Sequence, residues 1–215
     1  MQSLRCDKKD LLLYLVTDRS WLGNKQLEQQ VEESIKAGAT FVQLREKELD
    51  HEQCIEEAKR IKKVTDRYGI PFVINDKVAV ALAVDADGVH VGQSDVTASE
   101  VRRLIGADKI LGVSAQTVEQ ALRAQQDGAD YIGVGAVFST ATKMDADTVS
   151  LETLRQICQA VRIPVVAIGG IHEKTIPSLR GTGIDGVAVI SAIFAAPDIP
   201  KATQRLVSLA KECIE

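Results

Sequence analysis

Gly38-Ala39-Thr40-Phe41-Val42, Asp85-Ala86-Asp87-Gly88-Val89, Gly128-Ala129-Asp130-Tyr131-Ile132 and Gly183-Ile184-Asp185-Gly186-Val187 are four versions of one turn. Each ends a stretch with helical spacing and launches a short apolar run. Glycine reaches the left-handed conformation that stops a helix and reverses the chain within few residues. Three copies carry it, and in the second copy Asp85 stands in its place.

Working outward from these turns, eight short β-rich runs alternate with longer segments of helical period, the mark of a parallel sheet. The expected strands are Leu11–Val16, Thr40–Leu44, Phe72–Ile74, Gly88–Val91, Ile110–Ser114, Tyr131–Val134, Val165–Ile168 and Gly186–Ile190. The expected helices include Gln26–Ala37, Glu52–Tyr68, Ala98–Ile105, Val118–Asp127 and Leu151–Val161. The strands are almost continuously apolar, as strands covered on both faces are. Eight such units in 215 residues predict one domain over residues 1–215, a compact (β/α)8 TIM barrel without long extra loops. An open doubly wound sheet ranks second. It usually places G-x-G-x-x-G after its first strand, where this chain has Thr17-Asp18-Arg19-Ser20.

Composition narrows the function. Apolar residues make up 45% of the chain and the net charge is −4, with no Lys/Arg run suited to a phosphodiester backbone, so nucleic acid is not an expected partner. The apolar run at 11–16 is far shorter than the ~20 residues of a spanning helix, so neither a membrane segment nor a signal peptide is expected. Cys6, Cys54, Cys158 and Cys213 are scattered without C-x-x-C spacing and read as reduced thiols of a cytoplasmic protein. A homo-oligomer is compatible with all of this, and nothing in the sequence fixes the oligomeric state.

In a barrel the residues just after each strand line one mouth, where the chemistry sits. Asp76 and Asp95 follow neighbouring strands and can share that mouth, and paired hard oxygens suit Mg²⁺. The other reading of each is a cap on the next helix. Gln43, Arg45 and Lys47 share one side of an extended segment, a donor-rich strip able to grip a diphosphate. Lys143 is a further cation in a Thr/Ser-rich loop. Gly169-Gly170 and Ser191 follow strands seven and eight, where many barrels bind phosphate through backbone N–H groups, though Gly-Gly also reads as a plain turn. His90 reads as a structural histidine or as support of the mouth, and His51 and His172 as surface or capping residues. Trp21 reads equally as packing on the mouth or covering the barrel edge.

Seven motifs in order, Gln43-Leu44-Arg45-Glu46-Lys47, Asn75-Asp76, Gly92-Gln93-Ser94-Asp95, Gly112-Val113-Ser114-Ala115, Thr140-Ala141-Thr142-Lys143, Ile168-Gly169-Gly170 and Val189-Ile190-Ser191-Ala192, resemble the thiamine-phosphate synthase family nearly end to end. The resemblance implies a transferase that joins 4-amino-2-methyl-5-hydroxymethylpyrimidine diphosphate to a thiazole phosphate carboxylate, with Mg²⁺ as cofactor and release of pyrophosphate. It places the pyrimidine diphosphate against Gln43, Leu44, Arg45, Glu46, Lys47, Asn75, Ser114 and Lys143, and the metal on Asp76 and Asp95. It places the thiazole phosphate against Thr140, Ala141, Thr142, Gly170, Ile190 and Ser191. Arg45, Lys47, Ser114 and Lys143 are the expected catalytic set, acting by electrostatics rather than as nucleophiles. Ser114-Ala115-Gln116-Thr117 departs from the family's usual Ser-Ala-His-Thr. The related tautomerases use that histidine for proton transfer, which Gln116 cannot perform, so an isomerase is disfavoured. A non-catalytic thiazole-binding regulator would need neither the acids nor the diphosphate cations.

Overall fold

The computed structural model describes residues 6–93, 96–139 and 148–214. Eight parallel strands close in sequence order into a barrel, β1 (Leu13–Val16), β2 (Phe41–Leu44), β3 (Phe72–Asn75), β4 (Gly88–Val91), β5 (Ile110–Ala115), β6 (Tyr131–Val134), β7 (Val165–Ile168) and β8 (Gly186–Val189), with β8 pairing back onto β1. The helices are α1 (Leu27–Lys36), α2 (His51–Tyr68), α3 (Val78–Ala83), α4 (Ala98–Ile105), α5 (Val118–Gln126), α6 (Leu151–Ala160), α7 (Ser191–Phe194) and α8 (Ile199–Ile214). Between β7 and β8 a 3-10 turn, Ile176–Leu179, stands in for a helix. Among the described residues no helix is long and apolar enough to cross a membrane.

The helix starts follow from their caps. Asp50, Thr97, Thr117 and Ser150 each accept the backbone N–H three residues on with a side-chain oxygen, which satisfies a donor that the first helical turn leaves free.

The recurring turn has a second function at the foot of the barrel. Its third residue ties each odd strand to the next even one: Leu13 N–H donates to Thr40 Oγ1 (3.0 Å), Phe72 N–H to Asp87 (2.8 Å), Leu111 N–H to Asp130 (2.8 Å) and Val165 N–H to Asp185 (2.9 Å). The N–H of each turn residue donates back to the carbonyl of the same strand residue, at 3.0, 2.9, 2.7 and 2.8 Å. Four such reciprocal clamps make the barrel of four two-strand units. Asp85, the substitute for glycine, adopts φ 53° all the same, and Lys109 Nζ holds its carboxylate at 2.6 Å. All four turns thus take a positive φ at this position, Gly38 at 113°, Gly128 at 93° and Gly183 at 87°, and the second reaches it without glycine.

Two cores lie on the two faces of the sheet. The larger fills the layer between strands and helices, and Trp21 packs on its edge, its carbonyl taking the Gln30 amide at 2.9 Å. The smaller fills the barrel interior with Cys6, Leu11, Tyr14, Val16, Phe41, Val73, Ile110, Tyr131, Val166 and Ala188. Leu11 belongs here because Lys8–Leu11 is a 3-10 turn plugging the foot of the barrel, not the start of β1. A Cβ on Gly186 would run into the Leu11 carbonyl, and one on Gly112 into the Tyr131 ring. Burial pushes all four cysteine thiols up, Cys158 to about 12, so they stay protonated at neutral pH.

Gly112→Ala is expected to cost about 3 kcal/mol by overpacking, read as a lowered urea midpoint. Asp87→Ala, which strips the Phe72 N–H of its side-chain acceptor, should cost about 2 kcal/mol in the same titration. The native protein should react with Ellman's reagent far more slowly than urea-unfolded protein, all four thiols becoming fast only on unfolding.

Candidate active site

The ends of all eight strands open on a cavity of about 560 Å³ at the end of the barrel opposite the clamps. That volume lies in the range of sites that enclose small ligands. Its walls carry Gln43, Arg45, Glu46 and Lys47 from β2, Asn75, Asp76 and Lys77 from β3, and Ser114 from β5. Gly169 and Gly170 follow β7, and Ile190 and Ser191 follow β8. Alternation along β2 explains the first group. Gln43 faces inward and is buried, while Leu44 faces the helices and packs in the outer core, so its side chain is not among those lining the cavity. Arg45 continues the inward face, its N–H held by Thr17 Oγ1 at 3.1 Å.

Asp76 sits at φ 58°, a left-handed conformation rare outside glycine. Its N–H donates to the His90 carbonyl (2.9 Å), and its carboxylate accepts the Asn75 amide (2.6 Å) at the cavity rim. Backbone strain of this sort concentrates at functional sites, here fixing the direction of an exposed carboxylate. Among the described residues no three His, Cys, Asp or Glu side chains gather as a metal cage. One carboxylate facing a substrate cavity nevertheless fits Mg²⁺, which takes few protein ligands and completes its shell with water and phosphate oxygens. Asp95, the other expected ligand, lies outside the described residues, as do Thr140, Ala141, Thr142 and Lys143.

On the opposite wall Gly169 and Gly170 take φ 94° and 64°, and a Cβ on either would strike the backbone of the β6–α6 connection, at Ala136 or at Phe138 and Ser139. These glycines therefore let two mouth segments touch and leave peptide groups facing the cavity. Ser191 opens α7, with its side chain exposed at the cavity wall.

The wall also carries residues to which the sequence reading gave no part in binding or catalysis. Lys77 lines the cavity and donates to the Leu49 carbonyl at 3.2 Å; its place directly after Asn75-Asp76 was the available signal. Gln93 also lines the wall, its amide donating to the Ser114 carbonyl at 2.6 Å. His172, expected as a surface or capping residue, accepts the Lys174 N–H and also lines the cavity, whereas His51 is an exposed first residue of α2. His90 is buried at the cavity floor, hydrogen-bonded through both ring nitrogens to Tyr131 and Ser114. Gln116 lines the cavity with its amide 3.4 Å from the Gly135 carbonyl. Trp21 is absent from the cavity wall and covers the barrel edge.

Comparison with known proteins matches this geometry. Residues 13–193 fit the family model described as thiamine monophosphate synthase. The thiamine-phosphate synthase of Clostridium tetani is 54% identical over 203 residues, 94% of this chain and 97% of the relative. That of Ruminiclostridium cellulolyticum is 53% identical over 202 residues, 94% of this chain and 96% of the relative. The solved thiamine phosphate pyrophosphorylase from Pyrococcus furiosus superposes with a TM-score of 0.89 at 40% identity, covering 97% of this chain and 99% of that one. With its barrel, its mouth residues and these matches over nearly the whole chain, the protein belongs to the thiamine monophosphate synthase family.

Proposed function

We propose that this chain makes thiamine phosphate by the activity of its family, with the pyrimidine diphosphate gripped by the β2 strip and the thiazole phosphate by the β7–β8 side of the same mouth. The observation that carries the reading is the cavity itself, whose wall brings Arg45, Lys47, Asp76 and Ser114 opposite Gly170 and Ser191.

The reaction breaks the bond between the pyrimidine methylene carbon and the diphosphate oxygen, the electron pair leaving with pyrophosphate. The thiazole nitrogen then supplies the pair for the new C–N bond. No side-chain nucleophile is needed. The barrier lies in charge gathering on the leaving oxygens, and fixed cations aimed at that charge lower it. Arg45 offers a forked pair of donors and Lys47 a mobile ammonium, while Lys77, tethered to the Leu49 carbonyl, adds a third cation to the same wall. A Mg²⁺ ion held by Asp76, and by Asp95 as the sequence suggests, would supply divalent charge to the diphosphate oxygens. Gly169 and Gly170 offer peptide groups to the thiazole phosphate, whose binding beside the diphosphate turns an encounter of two molecules into a step between neighbours. Gln116 cannot exchange a proton near neutral pH, which weighs against an isomerase at this site. The four protonated thiols, none of them in a disulfide, suit a cytoplasmic enzyme.

Purified protein supplied with both half-molecules and Mg²⁺ should release pyrophosphate and form thiamine phosphate, and excess EDTA should stop it; undiminished turnover in EDTA would defeat the metal assignment. Asp76→Ala should lower kcat about 100-fold or more. Arg45→Ala should weaken kcat/KM for the pyrimidine diphosphate about 10- to 100-fold, the loss of hydrogen bonds to a charged group, with the KM for thiazole phosphate nearly unchanged.

A further inference from the structure

Five side chains form one hydrogen-bonded file through the barrel interior. Gln43 Nε2 donates to Tyr14 Oη at 2.6 Å, and Tyr14 Oη meets Tyr131 Oη at 2.7 Å. Tyr131 Oη meets His90 Nδ1 at 2.9 Å, and His90 Nε2 meets Ser114 Oγ at 2.9 Å. The two ends, Gln43 on β2 and Ser114 on β5, both line the cavity, while the phenols between them are buried.

With the Gln43 amide nitrogen at its head, the file permits one order of donation. An amide N–H cannot accept, so the Tyr14 oxygen receives there, and its single buried hydrogen goes to Tyr131, because donation the other way would leave that hydrogen no acceptor within the file. The Tyr131 hydrogen then goes to His90 Nδ1, which must be bare. The ring proton therefore sits on Nε2 and is given to Ser114 Oγ, leaving the serine's own hydrogen for an acceptor in the cavity. Burial pushes both phenols above their ordinary range, so each keeps the one hydrogen this order requires. Two missing side chains make room for the file. A Cβ on Gly112 would collide with the Tyr131 ring and with His90, and one on Gly133 would press within 3.1 Å of His90 Cε1.

We infer that Tyr14, Tyr131 and His90 are positioning residues: they fix the tautomer of His90 and thereby turn the Ser114 hydroxyl into a hydrogen-bond donor to an anionic oxygen of the substrate. The donor is aimed before substrate arrives, so little reorganisation is required as charge develops. The identity of the anion as the diphosphate rests on the function proposed above; the order of donation rests on the file alone.

Two measurements test it. In protein labelled with ¹⁵N-histidine, with His90→Gln used for assignment, His90 should show a protonated Nε2 and a bare Nδ1 at neutral pH. A proton on Nδ1 would mean that the file runs the other way and would overturn the inference. In turnover, Ser114→Ala and Tyr131→Phe should each lower kcat about tenfold, the loss of about one hydrogen bond, without changing the KM for thiazole phosphate. The double variant should lose no more than the worse single one, because both changes act through one hydroxyl. Losses that multiply to about 100-fold would assign Tyr131 a purely structural role. Wild-type protein that releases no pyrophosphate would sink the synthase reading while the tautomer measurement still decides the order of donation.

Discussion

A contact of 2.7 Å between the hydroxyls of Tyr14 and Tyr131 spans the inside of the barrel from β1 to β6. A buried hydroxyl without a partner costs several times what a made hydrogen bond contributes, so these two constrain everything around them. They meet across the closed ring of strands. Each must also find a second partner, which Gln43 and His90 supply from β2 and β4. The rings pack on Phe41 with centroids 4.5 and 5.6 Å away, so one cluster serves as hydrophobic floor and as polar frame. Small residues at 112 and 133 then follow from want of space rather than from any demand of the backbone.

Above that floor, charge is arranged by height. The interior is neutral at Tyr14, Tyr131 and Phe41, then polar at Gln43, His90 and Ser114, and, among the described cavity-lining residues, ionic at Arg45, Glu46, Lys47, Asp76 and Lys77 towards the mouth. This ordering keeps the desolvation cost of the ions modest, since Lys47 and Asp76 remain exposed. An acidic chain of net charge −4 thus still presents three cations on one wall to an anionic substrate.

The eight strands were legible because covered strands read as short apolar runs between helical periods, and their edges shift by only one or two residues. The exception at Leu11 is instructive, for a residue that plugs the barrel is as apolar as one that lines it. Likewise Val78–Ala83 has the Val-Ala-Val-Ala composition of a strand yet forms a helix, its place set by the turn after β3. At the mouth, position after a strand was enough to find Arg45, Lys47, Asp76 and Ser114. Leu44, expected beside them from the resemblance, turns its side chain to the helices while Gln43 and Arg45 face inward, and a run buried on both faces hides which face is which. The same ambiguity hid the file of phenols: nothing in the spacing of Tyr14 and Tyr131, 117 residues apart, says that they touch.

The four clamps at the foot of the barrel join residues 27, 15, 19 and 20 positions apart. Closing loops of that length costs little chain entropy, and the cost grows only slowly with length. Each quarter of the ring can therefore be assembled from its own neighbourhood, whereas the seam between Leu13 and Val187 asks the distant ends of the ring to find each other. The end that holds the ring together is also the end away from the cavity, so the loops at the other rim are free to specialise without loosening the frame.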